Sequence, residues 1–295
     1  VTLFTGLSAF PLTPTDDDRE LNPELLQHFL ERIVAAGVDS IGLLGSTGGY
    51  AYLTPEERKR TLRTAAECVA GRTPLIVGVG ALTTDVAVDL ARDARKAGAE
   101  GLLLAPVSYQ PLTDEEVFRH FEAVAAAGEL PLCIYDNPGT TKFTFSPELI
   151  SRLAELPNVT AVKMPLPADG DYAGEVQRLR AVTPEDFAIG YSGDWGAKDA
   201  LLAGGACWYS VVAGLLPEPA LALTRAAQAG NAAEAERIDH AFAPLWALFR
   251  EFGSFRVMFA IADSLGFGGI TPPRPILPLD QACRGRVEVA LRPFL

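Results

Sequence analysis

The feature that most constrains the fold is a repeating alternation of short β-rich runs with amphipathic helical patterns. The β-rich runs fall at residues 6–11, 40–45, 75–80, 101–106, 130–135, 159–164, 187–192 and 207–212, at intervals of about 25 to 30 residues. Between them, Asn22-Pro23-Glu24 opens a helix carrying Leu25, Leu26, Phe29, Leu30, Ile33 and Val34, closed by Gly37. Thr54-Pro55-Glu56-Glu57, Thr113-Asp114-Glu115-Glu116 and Ser146-Pro147-Glu148 repeat the device of a capping side chain followed by acids in the first turn. Eight such units without a break in composition fit an eight-stranded parallel barrel better than a doubly wound sheet. The expectation is an α/β chain with a (β/α)8 barrel over residues 1–225 and a C-terminal helical extension over 226–295, packed on the barrel. In that extension residues 232–252, 255–265 and 281–291 read as helices, interrupted by Thr271-Pro272-Pro273-Arg274-Pro275.

Composition narrows the partners. With 25 Lys and Arg against 37 Asp and Glu the formal charge is −12 over 295 residues, which disfavours nucleic acid because phosphate binding needs a clustered positive field. No apolar run approaches the ~20 residues of a membrane span, so no membrane partner is expected. The stretch Val1-Thr2-Leu3-Phe4-Thr5 has neither the basic nor the long apolar region of a secretory leader, and a cytoplasmic location is the expectation. Cys68, Cys133, Cys207 and Cys283 are widely spaced and read as reduced, mostly buried thiols. His28, His120 and His240 all fall in helical patterns, away from any acidic cluster at a strand end, so no metal site is expected. Gly78-Val79-Gly80 suggests a nucleotide fingerprint, but Thr83 stands where its third glycine belongs; a tight strand-to-loop turn is the better reading. Gly204-Gly205 reads as a helix end before the last strand.

In a barrel of this kind the working residues stand at the C-terminal ends of the strands. The sixth run ends Val162-Lys163-Met164 and places a lysine in an apolar strand, one of only five lysines in the chain. On period two Lys163 shares a face with Ala161 and Val159, expected to be the barrel interior. Burial there would favour a neutral amine able to attack a ketone. The alternative is a lysine that snorkels out at the strand tip or pairs with a carboxylate. The fifth run ends Tyr135-Asp136-Asn137-Pro138; neighbouring strands lie about 4.8 Å apart, so a phenol at Tyr135 can meet Lys163 and relay protons, or simply pack under a loop. Gly45-Ser46-Thr47-Gly48-Gly49, across the barrel, is either an anion nest for a carboxylate or an ordinary glycine turn.

Taken together, Gly45-Ser46-Thr47-Gly48, Tyr135-Asp136-Asn137-Pro138, Val162-Lys163 and Ser192-Gly193-Asp194 resemble the dihydrodipicolinate synthase / N-acetylneuraminate lyase family. The likeness runs from Gly6-Leu7-Ser8-Ala9-Phe10-Pro11 to Pro275-Ile276-Leu277-Pro278-Leu279. It implies a homo-oligomer, dimer or tetramer, using no metal or other cofactor, in which a lysine forms a covalent imine with a 2-oxo acid such as pyruvate. It implies Lys163 as the imine-forming residue, Tyr135 as proton shuttle, and Ser46 and Thr47 as the carboxylate holders, with Ser46 also in the relay. Gly193 joins the substrate-binding set on the same ground. Tyr109 looks like the tyrosine that members extend across a subunit interface.

Departures from the family pattern bear on the substrate. Gly49 replaces the motif's glutamate, and Thr140 stands where the synthases carry an arginine for the carboxylate of their aldehyde substrate. A neutral hydroxyl cannot replace a bidentate guanidinium. Tyr209 stands where many members have a small aliphatic residue lining the keto-acid site. The leading expectation is therefore a class I lyase or aldolase acting on a 2-oxo acid and an aldehyde. The alternatives are a deoxy-sugar oxo-acid dehydratase, dihydrodipicolinate synthase itself, and, from another class, a catalytically silent barrel that only binds an oxo acid.

Overall fold

The computed structural model describes residues 3–16 and 18–295. Val1 and Thr2, part of the stretch read for a leader, and Asp17 lie outside the described residues. The expected alternation is realised as a closed parallel barrel in the order β1 to β8, comprising Gly6–Ala9, Ser40–Leu43, Leu75–Gly78, Gly101–Leu104, Leu132–Tyr135, Val159–Met164, Ala188–Tyr191 and Cys207–Ser210. The regular ladder is shorter than most of the β-rich runs, because the last residues of most runs turn into the loops that follow, whereas the fifth run loses its first two residues and the sixth is strand throughout.

Helices α1 (Pro23–Ala36), α2 (Pro55–Val69), α3 (Thr84–Lys96), α4 (Asp114–Gly128), α5 (Pro138–Thr141), α6 (Pro147–Ala154), α7 (Tyr172–Arg180), α8 (Ala197–Leu202) and α9 (Pro217–Gln228) run between and after the strands. The expected caps form. Asn22 Oδ1 accepts from the Leu25 amide at 3.0 Å, Ser146 Oγ accepts from Leu149 at 3.1 Å, and Thr54 and Thr113 each close a reciprocal box with the glutamate three residues on. Helices α10 (Ala232–Phe252), α11 (Ser254–Ser264) and α12 (Gln281–Leu291) follow, and their apolar faces join the same continuous core as the outward faces of the strands.

A second, smaller cluster contains Phe10, Ile76, Leu103, Cys133, Tyr135, Ala161, Ala188, Cys207 and Tyr209, the alternate residues of the strands, and fills the barrel interior. Lys163 and Ala161 share that face as expected, but Val159 packs in the outer core. The ladder explains the difference. Leu132 pairs with Val159 and Cys133 with Ala161, so Thr160 is an extra residue that flips the alternation below it. Of the cysteines, Cys133 and Cys207 are buried in the interior, whereas Cys68 and Cys283 are only half-buried. Cys68 sits at the edge between α1 and α2, beside the Gln27 carbonyl and Glu31 carboxylate. The cap of α8 falls on Ala203, one residue before the expected glycine pair, and Gly204 follows it at φ 97°.

Candidate active site

Strand register brings the two principal residues together. Tyr135 on β5 pairs with Lys163 on β6, and Lys163 pairs in turn with Gly190 on β7. The ladder holds Lys163 from both sides: its carbonyl accepts from the Asp136 amide at 3.0 Å, and the Met164 carbonyl accepts from the Ser192 amide at 2.8 Å. Lys163 is 4% exposed, and among the described residues no carboxylate lies within ion-pair distance of it. Its Nζ lies 4.0 Å from the ring centroid of Phe10, 4.1 Å from that of Tyr135 and 5.4 Å from that of Tyr209. Aromatic faces of this kind attract an ammonium through their quadrupole. The amine is thus neither snorkelling nor salt-bridged; it is seated among rings.

The Tyr135 hydroxyl lies 3.3 Å from Ser46 Oγ and accepts from Asn137 Nδ2 at 2.9 Å. A phenol flanked by a hydroxyl and an amide donor, with its ring against the lysine, has the connections a proton shuttle needs. Asn137 escaped the sequence reading as an individual residue. The signal available was its place two residues beyond Tyr135, at the start of the short helix α5.

Under the amine, Tyr209 forms the floor. It is fully buried, its hydroxyl 3.4 Å from Cys133 Sγ, and burial pushes its phenol well above the ordinary range. Burial likewise pushes the Cys133 thiol up to about 12. The tyrosine fits because β7 has glycine beside it: a Cβ on Gly190 would lie 2.6 Å from the Tyr209 ring and 2.7 Å from the Cys207 carbonyl oxygen. Asp194 anchors the loop after β7. Its carboxylate accepts from Trp208 Nε1 at 2.8 Å, Val211 N at 3.1 Å and Val212 N at 2.8 Å. Burial pushes its carboxyl up to about 6, opposed by those three donors and by the Lys163 charge.

The Ser46-Thr47 turn depends on a support that the sequence reading missed. Leu44 takes φ 56°, a left-handed conformation that turns the end of β2, and its carbonyl oxygen would lie 2.0 Å from a Cβ on Gly78. This close approach is one role of the glycine pair once suggestive of a nucleotide. The buried Arg58 of α2 then donates to the carbonyls of Gly78 at 2.7 Å and Gly80 at 2.9 Å, with its guanidinium 5.3 Å from the centre of the Tyr50 ring. Burial pushes the Tyr50 phenol upward, and the nearby Tyr135 adds to the shift. The signal for Arg58 was its position on the stripe formed with Leu62, Ala65 and Val69.

These groups open on a cavity of about 620 Å³. Ser46, Thr47, Tyr135, Thr140, Lys163, Gly193 and Tyr209, all expected at the site, line it. Tyr109 does not; it is 92% exposed beyond β4, outside the cavity. The cavity wall also includes Trp195, Phe249 and Phe255, which sequence reasoning did not single out. The three histidines lie on α1, α4 and α10; His120 Nδ1 is 3.0 Å from Thr84 Oγ1, and burial lowers its pKa. Among the described residues no group of three or more His, Cys, Asp or Glu is placed to hold a metal, and no helix is long and apolar enough to cross a membrane.

Comparison with known proteins extends the resemblance. The sequence matches the dihydrodipicolinate synthetase family over residues 3–293. A 4-hydroxy-tetrahydrodipicolinate synthase from Methylibium petroleiphilum is 34% identical, covering 95% of this chain and 94% of its own. One from Aromatoleum aromaticum is 34% identical, covering 98% of each. Among solved structures, a dihydrodipicolinate synthase from Agrobacterium tumefaciens is 61% identical and superposes with a TM-score of 0.98 over 99% of both chains. With its closed barrel and strand-borne lysine, the chain belongs to the dihydrodipicolinate synthetase family of class I, Schiff-base-forming lyases.

Proposed function

We propose that Lys163 is the imine-forming residue of an aldolase-type lyase acting on a 2-oxo acid, with Tyr135 and Ser46 as its proton relay. The observation that carries this reading is the pairing of Lys163 with Tyr135, whose hydroxyl continues to Ser46 and Asn137. In the neutral form Nζ attacks the C2 carbonyl carbon, and the carbonyl oxygen takes a proton to give a carbinolamine. Tyr135 supplies the proton with which that oxygen leaves as water, and the lone pair on nitrogen closes the iminium. Loss of a C3 proton gives an enamine, whose electron pair forms a carbon–carbon bond to an aldehyde while the aldehyde oxygen is protonated. Water then hydrolyses the new iminium and frees Lys163. Cleavage follows the same steps in reverse. The iminium is itself the electron sink, so this route calls for no cofactor. Thr47 and Ser46, on the turn supported by Arg58, hold the oxo-acid carboxylate, while Gly193 and Thr140 border the space beyond it.

The relatives' synthase activity requires a grip on a second carboxylate, and Thr140 offers only a neutral hydroxyl there. Aldol chemistry and β-elimination of a hydroxyl from the enamine share every step up to that point. For assembly, we place Tyr109 at an interface between copies in a cytoplasmic homo-oligomer. Supporting this, Tyr109 is itself 92% exposed, and the residues just before it, Val107 and Ser108, line a surface groove with the exposed Leu82.

Intact-mass analysis after incubation with pyruvate and borohydride, followed by peptide mapping, tests the reading. The expected outcome is one reduced adduct on Lys163, absent in Lys163→Ala. An adduct elsewhere would overturn the assignment. No adduct with pyruvate or larger 2-oxo acids would favour a silent oxo-acid-binding barrel.

A further inference from the structure

The cavity is several-fold larger than a three-carbon oxo acid, so most of its wall faces whatever carries the second carbonyl. Among the described residues that line it, Lys163 is the only cationic side chain and Asp194 the only carboxylate. The lysine is committed to the imine, and the oxygens of Asp194 are engaged by Trp208, Val211 and Val212. Arg256, next in sequence to the wall residue Phe255, lines a separate groove beside Asp16 and Asp263. Lys198, on the helix after Trp195, is paired with Glu236.

The remaining wall is apolar on one side. Leu166 follows β6, Trp195 follows β7, and Phe249 and Phe255 reach in from α10 and α11. Trp195 is 39% exposed, a large indole surface left open at the mouth. Phe255 is held in place by Tyr52, stacked at 6.4 Å and 10°, and by Phe259, edge-on at 5.2 Å and 88°. A second carboxylate or a phosphate brought here would leave water without gaining a cation. A flat or cyclic apolar group would cover ring surface that is otherwise hydrated.

We propose that the acceptor is an uncharged aldehyde with an aromatic or alicyclic body, seated against Trp195, Phe249 and Phe255. The only anionic group of the bond-forming pair is then the oxo acid's own carboxylate. This inference rests on the imine reading of Lys163, and the test separates the two.

The measurement is kcat/KM for carbon–carbon bond formation from pyruvate with benzaldehyde, and with succinic semialdehyde as the carboxylated comparison, followed by product mass. Benzaldehyde is expected to exceed succinic semialdehyde by at least ~30-fold, the scale of leaving one desolvated charge unpaired. Trp195→Ala is expected to lower the benzaldehyde value about tenfold while the borohydride-trapped pyruvate adduct still forms on Lys163, showing a folded barrel. With that adduct present, equal or better use of succinic semialdehyde, reaction with neither aldehyde, or an unaltered Trp195→Ala enzyme would overturn the acceptor assignment alone. Absence of the adduct from the parent protein would overturn the imine reading and this inference with it.

Discussion

Lys163 and Tyr135 stand on neighbouring strands of a closed ladder, above a floor of Tyr209, Cys133 and Phe10, whereas Trp195 and Phe255 stand on a short turn after β7 and on a helix beyond the barrel. The first group is located by register: moving either strand by one residue would turn its side chain out of the interior. The second is located by loop geometry and helix packing, which can change without disturbing the ladder. The difference separates positions that the barrel itself fixes from positions that can change with the barrel intact. Under the proposed function, imine chemistry belongs to the interior, and the choice of partner belongs to the wall.

Substitutions at the floor and at the wall should therefore have different signatures. The largest effect is expected from Lys163→Ala, a loss of at least about 10³-fold in turnover together with the trapped adduct, since no neighbouring amine can take over. Retained turnover would mean that the interior does not hold the chemistry. Tyr135→Phe keeps the ring against Lys163 but removes the hydroxyl bonded to Ser46 and Asn137. It should slow imine formation by about 10²- to 10⁴-fold in stopped-flow trapping, with thermal stability little changed. An unchanged rate would remove Tyr135 from the relay. Gly190→Ala tests packing below the amine. A methyl group 2.6 Å from the Tyr209 ring should lower stability by about 1–3 kcal/mol in urea unfolding, and an unaffected midpoint would show that the floor is looser than its contacts indicate.

The smallest effect expected is a pH dependence just outside the floor. Asp136 is buried with Oδ1 unpartnered, and burial pushes its carboxyl up to about 7, opposed by a backbone donor at Phe145 and reinforced by Glu175. A carboxyl whose folded pKa is raised contributes stability while protonated and loses it as pH climbs from its unfolded value through the folded one. The melting temperature of Asp136→Asn relative to the parent should thus be more favourable at pH 8 than at pH 5. A constant offset between pH 4 and 8 would contradict the shift.

The same division explains what was legible in the sequence. The eight strands, the caps at Asn22, Thr54, Thr113 and Ser146, and the meeting of Lys163 with Tyr135 follow from periodicity and local chemistry, which act over a few residues or between neighbouring strands. The misplacement of Val159 has an equally local cause, since one extra residue at Thr160 resets a period of two and leaves no compositional mark. Arg58 and Gly78 were less visible because their roles are tertiary. A guanidinium on α2 reaches two carbonyls at the end of β3, and a glycine on β3 makes room for a carbonyl in the turn after β2. Phe249 and Phe255 resembled core residues because helical spacing looks the same whether a ring faces protein or a cavity.

The three aromatic rings around Lys163 Nζ have a consequence for the lifetime of the proposed covalent state. They respond to positive charge, whatever atom bears it, so under the proposed function an iminium formed at this nitrogen would meet that attraction. The carbinolamine that precedes it is uncharged at nitrogen and receives much less. The cage therefore lowers the iminium relative to both the neutral amine that attacks and the carbinolamine it forms. That asymmetry favours a lysine that completes dehydration once it has begun, and keeps the charged adduct in place until a partner arrives at the wall.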